Sequence, residues 1–179
     1  MPSGSRIARS FRFLRKFPAA LFPSAAFLVI AAVASIPFGT PRAQRSSHAA
    51  SEPWTASQTI LPAALARELA APNSPDKPVV VCAGFHPLYH GAHIPGASYH
   101  GPASTPEGLA DLKNWAAALP RSINLVVYCA CCPLEHCPNI RPAFEALRGL
   151  GFSRLRVLLL PTDFNTDWIA KGFPVEKGS

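Results

Sequence analysis

Most of this 179-residue chain carries no net charge. The ten Lys and Arg residues that follow Arg45 are matched by ten Asp and Glu residues, the first of which is Glu52. Without a net positive charge, this part of the chain has no basic surface to bind the phosphates of a nucleic acid, so we do not expect nucleic acid as a partner. The formal net charge of +7 comes from the seven basic residues among the first 45 positions.

The first 49 residues contain no acidic residue, and their pattern is typical of a targeting segment. A basic stretch precedes an apolar run over residues 24–36, and small residues follow it. We predict a secretory signal peptide over residues 1–49, with cleavage after Ala49 preferred to cleavage after Ala43, and export to the periplasm. The apolar run is shorter than the roughly 20 residues that cross a bilayer. An uncleaved membrane anchor and an organellar transit peptide are the alternatives, and a membrane contact is expected only through this segment.

Residues 50–179 lack a long linker and an internal repeat, and about 130 residues is close to the commonest size of one domain. After an exposed lead-in, short β-branched or apolar runs predict strands at residues 78–82, 97–99, 124–128 and 155–160. Apolar spacing and proline and glycine positions predict helices at residues 62–69, 106–119, 142–148 and 166–171, the last capped by Asn165 or Thr166. This alternation predicts an α/β domain with a parallel sheet that helices cover on both faces.

The five cysteines are not spread along the chain, and this excludes the disulfide framework of a small secreted domain. Cys82 lies in a predicted strand and is expected to be a small buried side chain. The other four lie within nine residues, at Cys129, Cys131, Cys132 and Cys137. Ligands of parallel α/β sheets bind beyond the carboxyl ends of the strands, and Cys129 ends a predicted strand. The clustering therefore indicates a functional site.

Three separated segments resemble landmarks of the rhodanese-like (sulfurtransferase) superfamily. They are His93-Ile-Pro-Gly-Ala97 after Tyr89, Val126-Val-Tyr-Cys129 before the cysteine loop, and Trp168-x-x-x-Gly-Phe-Pro-Val175. The resemblance covers residues 54–177 and implies a doubly wound α/β fold with a five-stranded parallel sheet. It also implies a persulfide on Cys129, the cysteine that immediately follows the central strand, and a turn containing Gly96 in which His93 hydrogen-bonds the backbone.

The chemistry of such a loop has a physical basis apart from the resemblance. Backbone amides at a helix N-terminus lower the pKa of a thiol and cradle an anion, which suits Cys129 and a persulfide on it. Arg141, at the start of the following helix, adds a positive charge that can bind thiosulfate or another oxyanion; a surface pair with Glu145 is the alternative. Further contacts to the substrate are expected from Ala130, His136 and Asn139.

The loop departs from the family pattern in length and composition. It is about five residues longer than usual and holds three additional cysteines, and Asn139 aligns with the usual arginine. Cys82 and Gly84 stand where the family commonly has an acidic and a basic residue after the first strand. These departures argue against classical thiosulfate:cyanide activity. They also argue against the related phosphatases, in which five residues separate the cysteine from an arginine.

Two kinds of chemistry stay open for the loop. A persulfide on Cys129 can be resolved by Cys131, Cys132 or Cys137, or a static disulfide such as Cys132–Cys137 can shape the loop. The four thiols and the His136 imidazole can instead bind Cu(I) or Zn(II). We expect a sulfurtransferase without a cofactor that acts on a small sulfur-containing anion, a low-molecular-weight thiol or a thiol-bearing partner protein. The alternative is a non-catalytic module for thiol exchange or metal binding.

Overall fold

The computed structural model describes residues 52–178. The predicted signal peptide, with its alternatives of an anchor or a transit peptide, lies outside these residues. Among the described residues, no helix combines the length and the apolar character that crossing a bilayer requires.

Five parallel strands form one sheet, in agreement with the predicted fold class. They are β1 (Thr59–Ile60), β2 (Val79–Cys82), β3 (Ser98–Tyr99), β4 (Asn124–Tyr128) and β5 (Arg154–Leu158). Their order across the sheet is β1-β5-β4-β2-β3, so β4 is central. All five residues of β4 are buried, because helices cover both faces of a parallel sheet and the strand is nearly continuous in apolar residues.

Four helices connect the strands and a fifth follows β5, and together they cover the two faces of the sheet. They are α1 (Pro62–Ala70), α2 (His86–Gly91), α3 (Pro106–Ala117), α4 (Ile140–Gly149) and α5 (Phe164–Asp167). Side chains of α3 and α4 pack with Val81 and Val127, whereas those of α1, α2 and α5 pack with Val80 and Val126. Neighbouring residues of a strand point to opposite faces, so the two cores lie on opposite sides of one sheet. Each fully buried large apolar side chain stabilises the fold by about 1.5–3 kcal/mol.

Helix α4 leads away from the cysteine loop and begins two residues earlier than predicted. Its apolar residues recur at spacings of three and four, and those that are buried are Ile140, Ala143, Phe144 and Leu147. Pro142 is the third helical residue rather than the first. The first four N–H groups of a helix have no acceptor within it, so proline at this position costs no helical hydrogen bond.

The lead-in before α1 is not simply exposed, as the sequence suggested. Trp54 is buried and contacts the Phe144 ring edge-to-face at 5.4 Å between centroids. Thr59–Ile60 then forms the edge strand β1 and pairs with β5. A tryptophan that joins the core draws this segment onto the α4 face of the sheet, and the lead-in is therefore part of the domain.

Two further elements differ from prediction. Helix α2 was not predicted at all, since its six residues are too few to show a period and no side chain caps its start. The last predicted helix is α5 followed by a 3₁₀ turn, Ile169–Lys171. Its cap is Asp163, whose side chain accepts the N–H of Thr166, and the predicted Asn165 and Thr166 caps were wrong.

Candidate active site

The cysteine loop begins where the central strand ends. It follows Tyr128 and passes through a 3₁₀ turn, Leu134–His136, before α4 starts. The Leu134 amide donates to the carbonyl of Leu160, which anchors the middle of the loop beyond the end of β5. Cys129 and Cys137 are 5% and 2% exposed. The other two loop cysteines are partly exposed, so the loop offers both buried and accessible thiols at the carboxyl end of the sheet.

The thiols of Cys129, Cys131, Cys132 and Cys137 form a compact group, called here the sulfur cluster. The Sγ atom of Cys131 lies at its centre, 2.8 Å from that of Cys132, 3.1 Å from that of Cys129 and 3.7 Å from that of Cys137. All five thiols among residues 52–178 are free, so the static Cys132–Cys137 bridge is not what the structure records. The four loop cysteines predicted to act together do meet in space.

Hydrogen bonds between these thiols push their pKa values apart. The S–H of Cys129 donates to Cys131, and this bond lowers the pKa of Cys131 to about 5. The bonds of Cys129 to Cys131 and Cys137, together with burial, raise the pKa of Cys129 far above the ordinary value of 9.0. Burial, and then a bond to Cys131, raise the pKa of Cys132. These shifts favour negative charge on Cys131 and Cys137 over Cys129 and Cys132.

The start of α4 stabilises Cys137 rather than Cys129. A hydrogen bond from Cys129 contributes most to the lowered pKa of Cys137, and the backbone amides of Asn139 and Ile140 lower it further. The sequence pattern assigned the amides at this helix N-terminus to Cys129. The additional loop residues instead bring a second cysteine to the helix start, where unpaired N–H groups favour a negative sulfur.

Asn139 is fully buried beside the sulfur cluster. Its Nδ2 atom lies 3.6 Å from the Sγ of Cys129 and 3.9 Å from that of Cys131. Its Oδ1 atom accepts the Ser104 amide at 3.0 Å, which fixes the orientation of the side-chain amide with its NH₂ group toward sulfur. The position that aligns with the family's arginine thus holds a neutral donor.

Gly84 contacts the site and was not among the predicted site residues. A Cβ atom at this position would lie 2.7 Å from the Sγ of Cys129, closer than packed atoms tolerate, so glycine leaves room for that sulfur. The pairing of β2 with β4, with Cys82 opposite Tyr128, brings Gly84 to this sulfur. A sequence alone does not show which residues of two strands lie side by side.

Arg141 and His136 lie in surroundings that differ from those expected. The Nη2 atom of Arg141 is 2.6 Å from Oε1 of Glu52, and Nη1 donates to the Glu135 carbonyl at 3.1 Å. The alternative surface pair with Glu145 was therefore wrong. The His136 side chain is 75% exposed, lies 3.3 Å from the Glu135 carboxylate and is not brought into the sulfur cluster.

Ala130 lines a groove of about 180 Å³ beside the loop. The groove lies between α2 and the start of α5, and its lining residues are Pro87, Leu88, Gly91, Ala92, Ala130, Phe164, Asn165 and Ile169. None of these residues is charged, and Leu88 is 44% exposed. The loop thus has an open, largely apolar neighbour.

His93 and Gly96 shape the turn between α2 and β3. The Nδ1 atom of His93 is 3.0 Å from the Tyr89 carbonyl, and its ring stacks on Tyr89 at 4.0 Å. The His93 backbone also pairs with that of Glu176. Gly96 has φ of +71°, a left-handed conformation that favours glycine, and its N–H donates to the Glu176 carboxylate. These contacts join the turn to the C-terminal segment rather than to the cysteines.

The parallel sheet, the helices on both its faces and a cysteine loop at its carboxyl end define a doubly wound α/β domain. Comparison with solved structures makes the class more specific, and the chain has the rhodanese-like fold. The solution NMR structure of the rhodanese-like domain of the Alr3790 protein from Anabaena sp. has a TM-score of 0.50 and 23% identity, over 67% of this chain and 79% of that one.

Two further structures agree with this fold. A crystal structure of the Alr3790 protein has a TM-score of 0.50 and 23% identity, over 66% of this chain and 92% of that one. The BH2092 protein from Bacillus halodurans has a TM-score of 0.50 and 19% identity, over 68% of this chain and 77% of that one. No protein-family model and no curated protein matches the chain. Likenesses of this degree establish the fold that the three sequence motifs predicted.

Proposed function

We propose that the protein is a divergent member of the rhodanese-like superfamily, an exported sulfurtransferase that carries sulfane sulfur as a persulfide on Cys129. One observation carries this proposal. Cys129 is the first residue after the central strand, and its buried thiol lies 3.1 Å from the Cys131 sulfur. A neutral thiol must lose its proton as it attacks, and the Cys131 sulfur already accepts a hydrogen bond from Cys129. In this proposal Cys129 is the nucleophile, and Cys131 takes its proton as the new sulfur–sulfur bond forms.

The first step transfers sulfur to Cys129. Its Sγ attacks the sulfane sulfur of a donor such as thiosulfate while its proton passes to Cys131. The bond between the sulfane sulfur and the rest of the donor breaks, and that remainder leaves with the bonding electron pair, as sulfite in the case of thiosulfate. The product is a persulfide anion on Cys129, whose Sγ atom the Asn139 NH₂ group faces.

The second step returns Cys129 to its starting state. An acceptor thiolate attacks the outer sulfur, and Cys129 leaves with the bonding pair and recovers its proton from Cys131. In the alternative outcome, Cys131 attacks the Cys129 Sγ, sulfide leaves, and a Cys129–Cys131 disulfide remains for an external dithiol to reduce. Among the three predicted resolving cysteines we favour Cys131, because its sulfur is 3.1 Å from that of Cys129.

The surroundings of the loop favour a thiol as the acceptor. The groove beside Ala130 has no charged lining residue, and its exposed Leu88 offers an apolar contact to a larger molecule. Arg141 is already engaged with Glu52. Binding of an anion by Arg141 stays a prediction, and the ion pair with Glu52 competes with it. We therefore propose a low-molecular-weight thiol or a thiol-bearing partner protein as the acceptor.

Incubation of the reduced protein with thiosulfate, followed by measurement of intact mass, tests the sulfur chemistry. We expect a gain of about 32 Da, the mass of one sulfur atom, that a thiol reductant removes. The adduct disappears in Cys129→Ser and persists in Cys82→Ala, a matched control whose thiol is buried within β2. No adduct on the wild-type protein, or an unchanged adduct on Cys129→Ser, contradicts the proposal.

Export is the part of the proposal that rests on residues 1–49. A basic stretch followed by a short apolar run is typical of a secretory signal, and we propose the periplasm as the destination. The mass of the protein purified from its own host tests this. A chain that starts at residue 50 in the soluble periplasmic fraction supports it, whereas the intact chain in the membrane fraction supports an anchor.

A further inference from the structure

We propose that Cys129, Cys131 and Cys137 together bind one Cu(I) ion, an activity beyond sulfur transfer. The three Sγ atoms lie within 4.8 Å of one another, with that of Cys131 at 3.1 Å from Cys129 and 3.7 Å from Cys137. Three sulfurs that bind one ion at about 2.3 Å in a trigonal plane lie about 4.0 Å apart. Two of the observed separations are shorter than this value and the third is at most 4.8 Å, so side-chain rotations that move Cys131 away from its neighbours complete the site.

The donor atoms select a soft ion. Within residues 52–178, no carboxylate or imidazole joins this group of three sulfurs. Soft thiolates favour Cu(I) and Zn(II) over hard cations. Structural zinc is almost always four-coordinate, and the other candidate ligands do not complete such a set. His136 is exposed beside Glu135. The Cys132 sulfur lies 2.8 Å from that of Cys131 but is not within 4.8 Å of all three sulfurs of the group. A set of three thiolates therefore fits Cu(I) better than Zn(II).

The protein around the three sulfurs suits a bound soft cation. Cys129 and Cys137 are buried, while the partly exposed Cys131 provides the route of entry. The Nδ2 atom of Asn139 faces two of the sulfurs and is held in that orientation by the Ser104 amide. Groups that orient the ligands of a metal and offset their negative charge raise its affinity. The site is thus supported by contacts that exist before the ion arrives.

Anaerobic titration of the reduced protein with Cu(I), in competition with a chromophoric Cu(I) chelator, tests this proposal. We expect one tightly held Cu(I) per chain that stays bound through gel filtration, with a sulfur-to-copper absorption band in the ultraviolet that saturates at one equivalent. Cys137→Ser is expected to weaken binding by roughly tenfold or more. Cys132→Ser and the matched control Cys82→Ala are expected to retain one equivalent, because neither thiol belongs to the group of three.

Three results overturn the copper site. The first is a wild-type protein that releases Cu(I) to the chelator and retains stoichiometric Zn(II) instead. The others are an unchanged Cu(I) affinity in Cys137→Ser and a loss of Cu(I) binding in Cys132→Ser. Circular dichroism of each variant checks folding, and Cys131→Ser replaces Cys137→Ser if the latter is unfolded.

The copper site and sulfur transfer are tested by separate measurements. A wild-type protein that gains the mass of sulfur and binds no Cu(I) overturns the copper site alone. A protein that binds Cu(I) and gains no mass from thiosulfate overturns the sulfurtransferase alone.

Discussion

The two ends of the sheet differ in the polar groups that they bring together. At the amino end, a cleft of about 430 Å³ contains Arg154, paired with Asp76, and Arg156, paired with Glu68 and hydrogen-bonded to Asn124. Each of these charges has a partner of opposite sign. At the carboxyl end, the loop sulfurs face one another, and one adjoining groove, of about 180 Å³, has no charged lining residue.

This difference shows that cavity size is a poor guide to chemistry in this molecule. The larger cleft is lined by paired ions. The smaller groove borders thiols whose pKa values are pushed in opposite directions, lowered for Cys131 and raised for Cys129. Separation of pKa values between neighbouring groups is typical of sites where a proton moves. The following predictions test whether substitutions at the carboxyl end change the sulfur chemistry and whether those at the amino end change stability alone.

The largest effect short of removing a sulfur is expected from Gly84→Ala. The new Cβ would lie 2.7 Å from the Cys129 Sγ, and such overpacking costs about 1–3 kcal/mol. Displacement of this sulfur should slow persulfide formation by roughly tenfold or more. Gly149→Ala is the control, because a Cβ there meets no atom within 4 Å. A time course of added mass measures the rate, and wild-type reactivity in Gly84→Ala would falsify the contact.

The next effect concerns the pH dependence of alkylation at Cys131. Its pKa of about 5 keeps it a thiolate at neutral pH, whereas an ordinary cysteine with a pKa of 9.0 is mostly protonated there. Iodoacetamide should modify Cys131 at a constant rate from pH 8 to pH 6 and roughly tenfold more slowly at pH 4. Cys129→Ala removes the S–H donor and should move this profile to higher pH. Peptide mapping assigns the modified cysteine, and a rate that climbs steadily up to pH 9 contradicts the assignment.

A smaller effect, on stability alone, is expected from Glu68→Gln at the amino end. The hydrogen bond from Arg156 lowers the pKa of Glu68 below its ordinary 4.5 in the folded state. The pair therefore stabilises the fold fully above pH 4.5, and this contribution is lost as the pH falls through the lowered folded-state pKa. Because the pair is partly exposed, we expect a loss of about 0.5–1 kcal/mol at pH 7.

Denaturant unfolding of Glu68→Gln and wild type at pH 7 and pH 3 measures this difference. The difference in stability should be smaller at pH 3 than at pH 7, and both proteins should gain sulfur at the same rate. A gap in stability that does not shrink at pH 3, or a changed rate of sulfur uptake, means that the amino end is more than a structural ion-pair network.

The smallest effect is expected from Arg154→Gln. Its pair with Asp76 is exposed, and exposed ion pairs contribute little because water and salt screen them. The thermal midpoint should change less than in Glu68→Gln, and thiosulfate should react with the variant as with wild type. A larger loss than that of Glu68→Gln in differential scanning calorimetry would reverse the ranking of the two pairs.

The long elements of the fold could be predicted from sequence because their signals are local. Strand β4 is one nearly continuous apolar run, and α3 and α4 repeat apolar residues every three or four positions. Strand β1, with two residues, and α2, with six, are too short to show a period. Tertiary pairing with β5 makes Thr59–Ile60 a strand.

In the candidate site, too, the features that depend on nearby sequence were predicted, whereas contacts between residues far apart in the sequence were not. The motifs located Cys129 and Asn139 correctly, because Cys129 lies at the end of a strand and Asn139 lies next to the start of a helix. The pairing of Arg141 with Glu52 joins residues that are 89 positions apart, and no local sequence pattern indicates it. The arrival of Cys137 at the α4 amides depends on the path of the long loop. Contacts of this kind follow from the folded geometry alone.

The burial of the central strand also sets where motion can occur near the sulfur cluster. Strand β4 is covered on both faces and pairs with β2 and β5, so its amide protons should exchange with solvent only when the whole domain unfolds. Cys129 follows directly after this segment. We therefore expect the fluctuations that admit a substrate to arise in the loop beyond it, with Cys131 moving relative to Cys129.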